Sequence, residues 1–200
     1  ACMFKAVGTE VYLVDTKDQI MSNEDPDIGE FLTNAFDAMG IHIIPSSRYQ
    51  NHELQLDGVQ TILSTGEFKT DMILLAVGRV PSTDNINLEA TGVALDEFNY
   101  IQIDANARTN VPHIYAVGDI GNRNVPSDLS LVHVAEAEGR CAAADILGTE
   151  YPQGLDHIPY IVFTVPMLAG AGVTESYVRE HCGDVRVGKY PYARNHRAHT

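Results

Sequence analysis

Basic residues are scarce in this sequence. It carries 13 lysines and arginines against 27 aspartates and glutamates, which gives a formal net charge of −14. A chain of that charge repels phosphate groups, so nucleic acids and anionic membranes are not expected as partners. Long hydrophobic runs are missing as well. The most apolar stretch, residues 160–173, contains proline and threonine and is too short to span a bilayer.

Cysteine is also rare. The three cysteines, Cys2, Cys141 and Cys182, lie far apart and form neither a C-x-x-C pair nor a spacing typical of metal ligands. We therefore expect no disulfide framework and no metal site. This usage is typical of a reducing compartment and predicts a cytoplasmic protein.

The first part of the chain alternates strand and helix signals. Residues 11–15 (VYLVD) form a short β-branched run that ends in an acid. Ile41–Ile44 is a second β-branched run, and both predict strands. Between them, Asp25 is placed to cap a helix, Pro26 to open it and Gly40 to stop it. Such alternation predicts an α/β fold with a mostly parallel sheet.

Three further segments complete this part of the prediction. The alternating runs at residues 53–56 and 60–63, separated by a turn at Asp57-Gly58, indicate small antiparallel strands. Residues 72–77 (MILLAV) are wholly apolar and predict a buried strand, which runs into Gly78 and Arg79.

The stretch TNVPHIYAVGD, from Thr109 to Asp119, predicts another strand over residues 114–117, and a loop at 121–128 and an alanine-rich helix ending at Gly148 follow it. Ligands of parallel sheets bind beyond the carboxyl ends of the strands, and Gly118 would let another group approach the backbone closely. Asp119 could accept hydrogen bonds from ligand hydroxyls, or it could merely cap a turn or the next helix. These residues alone leave both interpretations open.

A longer pattern resembles a known family. Thr109 followed by residues 114–119 (IYAVGD) is similar to the second flavin-binding motif of the pyridine nucleotide–disulfide oxidoreductase family. The resemblance implies that Asp119, preceded by Gly118, holds a hydroxyl of the ribityl chain of FAD. Residues 131–139 (LVHVAEAEG) resemble the helix start of the same family, with Val132 in place of the usual alanine. The backbone N–H groups at Leu131, Val132 and His133 would then face the flavin. Negative charge develops on the flavin when it is reduced, and a helix N-terminus stabilises such charge.

The same resemblance assigns a nicotinamide-nucleotide unit to the N-terminal part. Asp15 matches the acid that accepts the adenosine ribose hydroxyls, which favours NAD because a carboxylate repels the 2′-phosphate of NADP. Residues 75–79 (LAVGR) resemble the segment in which a glycine, here Gly78, lies near bound nucleotide. Arg79 either belongs to this site or serves as a structural ion-pair partner.

The C-terminal residues extend the match. Residues 158–175 resemble the opening of the family's dimerisation domain, and residues 187–198 are similar to a segment of its dihydrolipoamide dehydrogenase branch. The implied fold is two Rossmann-like units, both partial, followed by the start of an α+β domain. We expect an NAD-binding unit at residues 1–80, the C-terminal part of an FAD-binding domain at 81–152 and the start of a dimerisation domain at 153–200. A homodimer is therefore expected.

Several family motifs are not found in this sequence. It contains no C-x-x-x-x-C redox pair, no glycine fingerprint for either nucleotide and no C-terminal histidine–glutamate pair. We therefore assign no catalytic residue, and we expect the chain to be a fragment of an enzyme that uses FAD and NAD with a disulfide substrate. A soluble transhydrogenase, which residues 83–85 (TDN) resemble, and a non-catalytic nucleotide-binding module remain as alternatives.

Overall fold

A computed structural model describes residues 1–122, 130–151, 155 and 158–195. Three sequence features fall wholly or partly outside these residues: most of the loop predicted at 121–128, the boundary expected at 152, and residues 196–198 of the last motif. No helix in the described ranges is long and apolar enough to cross a membrane.

The predicted strand–helix–strand unit is confirmed. A short helix α1 (Cys2–Ala6) precedes strand β1 (Val11–Val14), helix α2 (Pro26–Met39) and strand β2 (Ile41–Ile44), and the two strands pair in parallel. Gly40 ends α2 with a φ of 75°, in the left-handed region that glycine adopts readily. One face of α2 packs on the strands and buries an apolar core, whose central members are Ile20, Leu32, Phe36 and Ile41.

A three-stranded antiparallel sheet follows, as the alternating runs predicted. It comprises β3 (Tyr49–Gln55), β4 (Gly58–Leu63) and β5 (Gly66–Thr70), with β4 in the middle. Every residue of β3 is exposed, whereas Thr61 and Leu63 on β4 are buried.

The strand predicted at residues 72–77 is wrong. This segment forms no strand, and all of its large apolar residues except Ile73 are exposed, with Met72 and Val77 at 77% and 88%. A buried strand requires hydrogen-bonding neighbours, and no described strand pairs with this segment. The run is apolar enough for a sheet interior, but the sequence signal says nothing about where its partners lie.

The prediction for residues 114–117 is also wrong in its extent. Only Tyr115 forms a bridge, with Arg108, although hydrogen bonds from the Thr109 and Ala116 N–H groups to the Ile114 and Ala107 carbonyls widen the contact slightly. The regular pairing nearby is between β6 (Ile101–Gln102) and β7 (Gly121–Asn122), which are parallel. A 3₁₀ turn at Leu88–Thr91 leads into this region, and its small core contains Val93, Ile101 and Ala116.

The alanine-rich helix is confirmed as α3 (Val132–Ile146), after which Gly148 adopts a φ of 66°. Three of its residues contact the segment at 104–118, and we call them the α3 stripe: Glu138, Cys141 and Asp145. The first two are buried, and Cys141 directs its thiol toward the carbonyl of Ala105 at 3.7 Å. The outer face carries charged residues such as Glu136 and Arg140.

The C-terminal segment forms an antiparallel pair, β8 (Tyr160–Val162) with β9 (Leu168–Gly170), and then helix α4 (Glu175–Cys182) and a 3₁₀ turn at Tyr192–Arg194. Leu168 packs against the core beneath α2, so this segment rests on the first unit. Phe163 and Tyr192 remain largely exposed.

Polar contacts from the start of α2 strengthen this packing. The carboxylate of Asp25 accepts hydrogen bonds from the N–H groups of Glu175 and Ser176, at 2.7 and 2.9 Å, and from the Ser176 hydroxyl at 2.7 Å. The predicted capping role of Asp25 is therefore corrected: its side chain makes no capping bond to α2 and instead caps α4. The neighbouring acids Glu24 and Asp27 bind Tyr160 and Lys189, at 2.5 and 2.6 Å.

Candidate functional site

A cleft of about 610 Å³ lies at the start of α3. Two segments that are far apart in sequence meet there: the residues around position 118 form one wall and the first turn of α3 forms the other. A third segment contributes Arg79, whose Nη1 lies 2.9 Å from Asp119 Oδ2. The lining residues are Arg79, Gly118, Asp119, Ser130, Leu131, Val132, Ala135 and Glu136.

The backbone at Gly118 brings Asp119 to the cleft through a tight turn. Gly118 has a φ of 75°, and its carbonyl accepts the N–H of Gly121 at 3.0 Å. A Cβ atom at Gly118 would lie 3.3 Å from the Cβ of Ala135 on α3. Glycine is therefore needed here both for the backbone conformation and for the close approach of the helix.

Thr109, the first residue of the motif, has a structural role. It is buried, and its hydroxyl donates to the carbonyl of Ile114 at 3.0 Å and accepts the N–H of Val111 at 3.1 Å. These bonds close the turn that contains Pro112 and direct the chain toward Gly118. The number of residues between Thr109 and Asp119 is thus set by this turn and by the short segment that follows it.

The first turn of α3 offers free donors to the cleft. Leu131 occupies the N-cap position and provides no side-chain cap. The first intrahelical bonds come from Val134 and Ala135, which both donate to the Leu131 carbonyl. Within the described part of the chain, the N–H groups of Val132 and His133 have no acceptor. Together with the helix dipole they favour an electron-rich group at this position.

At the other end of α3, the helix is tied to the same segment by a polar cluster. The carboxylate of Asp145 accepts the Tyr115 hydroxyl at 2.5 Å and Arg108 Nε at 3.1 Å, and it also contacts Arg108 Nη2. These hydrogen bonds, first that of Tyr115 and then that of Arg108, hold the pKa of Asp145 below its usual value. The carboxylate therefore stays ionised and keeps α3 in place.

The structure gathers five of the eight predicted site residues at the cleft: Arg79, Gly118, Asp119, Leu131 and Val132. His133 is on α3 but does not line the cleft, and its Nε2 contacts the carbonyl of Pro159 instead. Gly78 is next to Arg79 in sequence and has a φ of 131°.

Asp15 belongs to a different place, the carboxyl end of β1. Its backbone extends the pairing with β2, since the Asp15 N–H donates to the Ile44 carbonyl at 3.1 Å. Its Oδ1 accepts the N–H of Lys17 at 2.9 Å. As far as the structure describes the chain, its Oδ2 has no partner and can receive a ligand hydroxyl.

Sequence reasoning gave no role to two acids of α3. Glu136 lines the cleft, and Glu138 is buried and accepts the Gly118 N–H through Oε2 at 2.6 Å. A signal was present for Glu138, because a glutamate predicted on the buried side of a helix needs polar partners. The identity of that partner, 20 residues away, could not be obtained from the pattern.

A parallel β–α–β unit, together with a cleft at an uncapped helix start, is typical of the dinucleotide-binding class of α/β proteins. A family model described as pyridine nucleotide-disulphide oxidoreductase matches residues 1–139. The chain belongs to this family.

Relatives of known name support the assignment. The chain is 32% identical to a dihydrolipoyl dehydrogenase of Chlamydia trachomatis over 96% of its own length and 40% of the relative. It is 33% identical to that of Mycobacterium leprae, over 98% of its length and 42% of the relative.

Solved structures agree with these relatives. LpdA from Mycobacterium tuberculosis superimposes with a TM-score of 0.85 at 28% identity, over 99% of this chain and 42% of that one. The HOCl-induced flavoprotein disulfide reductase RclA from Escherichia coli gives a TM-score of 0.81 at 26% identity, over 99% of this chain and 45% of that one. The α/β fold is thus that of the flavoprotein disulfide reductases, and the chain spans less than half the length of these relatives.

Proposed function

We propose that this chain is part of a FAD-dependent oxidoreductase that moves a hydride between NAD(H) and FAD and exchanges electrons with a disulfide or dithiol, as a dihydrolipoamide dehydrogenase does. The observation that carries the proposal is the cleft in which Asp119 faces the uncapped start of α3. It offers a carboxylate acceptor and free backbone donors on opposite walls. Such a pair of walls suits a ligand with a hydroxylated chain at one end and an electron-rich ring at the other.

FAD fits the residues present. Asp119 would accept a hydroxyl of the ribityl chain through Oδ1, which has no partner among the described atoms, while Oδ2 stays bonded to Arg79. The N–H groups of Val132 and His133 would face the ring. Arg79 then acts as the ion-pair partner that one interpretation of the sequence gave it, and it helps to form the flavin site instead of the nicotinamide-nucleotide site.

The position of Asp15 supports NAD as the nicotinamide nucleotide. The carboxylate lies at the carboxyl end of a parallel strand, where dinucleotides bind, and its free Oδ2 can accept ribose hydroxyls. A 2′-phosphate at the same place would meet a negative charge. Gly78 leaves room for a nucleotide to approach, because no described atom outside its chain neighbours lies within 4 Å of the position that a Cβ would take there.

The overall reaction balances simply. A dithiol loses two electrons and two protons to become a disulfide, NAD⁺ takes up a hydride, and one proton is released. FAD supplies the two-electron carrier between the two substrates. The residues of this chain bind and orient: Asp119 and α3 fix one nucleotide, and Asp15 fixes the other. No residue here is given the role of nucleophile or general base.

The assembly follows the same reasoning. In this proposal residues 1–80 belong to the NAD-binding unit, residues 81–152 to the FAD-binding domain and residues 153–200 to the dimerisation domain of a cytoplasmic homodimer. The exposed Phe163, Tyr190 and Tyr192 provide apolar surface for a partner subunit. The named relatives are dihydrolipoyl dehydrogenases and disulfide reductases, which favours this branch over the transhydrogenase.

The test is the flavin content of the full-length protein. Asp119→Ala removes the hydroxyl acceptor and should lose flavin during purification, while the wild type is yellow. Asp84→Ala is a matched control, because it removes the same charge from an exposed position outside the cleft. Wild-type stoichiometry of flavin in Asp119→Ala, or a colourless wild type, would contradict the proposal.

A further inference from the structure

The carboxylate of Glu138 is buried in the middle of α3, with 3% of the residue exposed. Its Oε2 accepts the N–H of Gly118 at 2.6 Å, so a carboxyl oxygen meets the backbone next to Asp119. Burying a carboxylate is costly unless it makes such bonds. A carboxyl group at this depth therefore depends on its polar partners, and the Gly118 N–H is one of them.

Two contacts from α3 hold the Gly118 turn. Ala135 approaches it sterically, since a Cβ on Gly118 would lie only 3.3 Å from the Ala135 Cβ. Glu138, about one turn further along the helix, fixes the direction of the Gly118 N–H. With the N–H bonded on one side and the carbonyl bonded to Gly121 on the other, the peptide planes around Gly118 are set. The direction of the Asp119 side chain follows from them.

We propose that Glu138 is a positioning residue for the flavin site: it acts through the Gly118 N–H to aim the Asp119 carboxylate at a hydroxyl of the ligand. The inference rests on the proposed function, in which that ligand is FAD. Because the helix that carries Glu138 also presents the free N–H groups of Val132 and His133, one rigid element aligns both walls of the cleft.

The experiment measures FAD affinity of the full-length protein, by titrating the flavin-free protein with FAD and following flavin fluorescence. Glu138→Leu removes the acceptor, so the Asp119 carboxylate would no longer be aimed at the ligand. We expect FAD binding to weaken about ten- to hundredfold, the worth of the hydrogen bond between that carboxylate and the flavin hydroxyl. Glu138→Gln keeps a carbonyl oxygen for the Gly118 N–H. It should therefore bind FAD within a few-fold of the wild type.

Val134→Ala is the matched control. Val134 is buried on the same helix and its truncation lowers stability, but it makes no hydrogen bond to the Gly118 turn. It should keep wild-type affinity at a temperature at which circular dichroism shows all variants folded.

The outcomes separate the two claims. If the wild type binds no FAD, the proposed function fails, and the role of Glu138 fails with it. If the wild type binds FAD and Glu138→Leu binds it equally well, only the positioning role is refuted. An equal loss of affinity in Val134→Ala and Glu138→Leu would also refute it, since the effect would then be one of general destabilisation.

Discussion

Replacing Asp25 with alanine should loosen helix α4, 150 residues away in sequence. The N–H groups of the first turn of α4 are satisfied by two side chains: Asp25 takes those of Glu175 and Ser176, and Thr174 takes that of Tyr177 at 3.2 Å. The Asp25→Ala change leaves the first two without a protein acceptor. It spares the start of α2, where the backbone carbonyl of Asp25, not its side chain, accepts the Ile28 N–H.

The magnitude follows from these contacts. A single helix cap contributes about 0.5–2 kcal/mol, and each hydrogen bond to a charged group contributes about 1.5–3 kcal/mol when it is shielded from water. Asp25 is only partly buried, and water can replace it at the two N–H groups. We therefore expect a loss of about 1–2 kcal/mol in the local stability of α4, which corresponds to an opening equilibrium roughly 5–30 times larger.

Hydrogen–deuterium exchange of peptides that cover α4 measures this directly in the full-length protein. Asp27→Ala is the control: it removes the same charge two residues away, but its ion pair with Lys189 is exposed and contributes little. Exchange in α4 should accelerate in Asp25→Ala and stay at the wild-type rate in Asp27→Ala. Equal rates in Asp25→Ala and the wild type would show that the contact does not hold α4 in solution.

Acid should reproduce the effect of the substitution. Burial acts to raise the pKa of Asp25, but the hydrogen bonds from Ser176 and Glu175 outweigh it and place the pKa below the ordinary value. The pKa of Asp25 is lower in the folded state than in the unfolded state, where it is about 4. The ionised carboxylate therefore contributes its full stability at pH values above about 4. Protection of α4 should therefore be complete near neutral pH and decline as the pH falls through the folded pKa, with no such decline in Asp25→Ala.

The remaining predictions concern ligands and assembly. Asp15→Asn should narrow the preference for NADH over NADPH in the full-length enzyme, because the charge that repels a 2′-phosphate is removed; faster flavin reduction by NADPH than by NADH in the wild type would contradict the role of Asp15. The full-length protein should be a homodimer by light scattering. The 200-residue chain alone should bind little flavin and associate irregularly through exposed residues such as Phe163 and Tyr192; a monodisperse monomer would contradict this.

The sequence predicted correctly those elements whose bounds depend on residues close to one another in the chain. The bounds of α2 follow from Pro26 at its start and Gly40 at its end, both of which act within one turn of the helix. The alternating runs and the turn at Asp57-Gly58 predicted β3 and β4 because the two strands of a hairpin are close to each other in sequence. Asp119 was singled out by the family resemblance of the motif from Thr109 onward. The residues alone left open whether it binds a ligand or caps a turn, so its role as a flavin ligand stays a prediction.

The features that the sequence did not predict depend on contacts between residues that are far apart in the chain. Residues 72–77 are apolar enough for a strand, but a strand exists only where neighbours supply hydrogen bonds. The ion pair between Arg79 and Asp119, the bond from Gly118 to Glu138 and the cap that Asp25 gives to α4 join residues 40, 20 and about 150 positions apart. No local pattern encodes such partners.

The α3 stripe limits which mutations helix α3 can tolerate during evolution. Glu138 contacts Gly118, Cys141 faces Ala105 and Asp145 binds Arg108, so three successive points along the helix each have a fixed partner. Adding or deleting one residue between them would turn the remainder by about 100° and shift it by about 1.5 Å. Substitutions at outward positions away from the cleft, such as Arg140, leave these contacts in place. Outward residues of α3 that do not line the cleft can therefore vary, whereas single-residue insertions and deletions within the helix should be eliminated by selection.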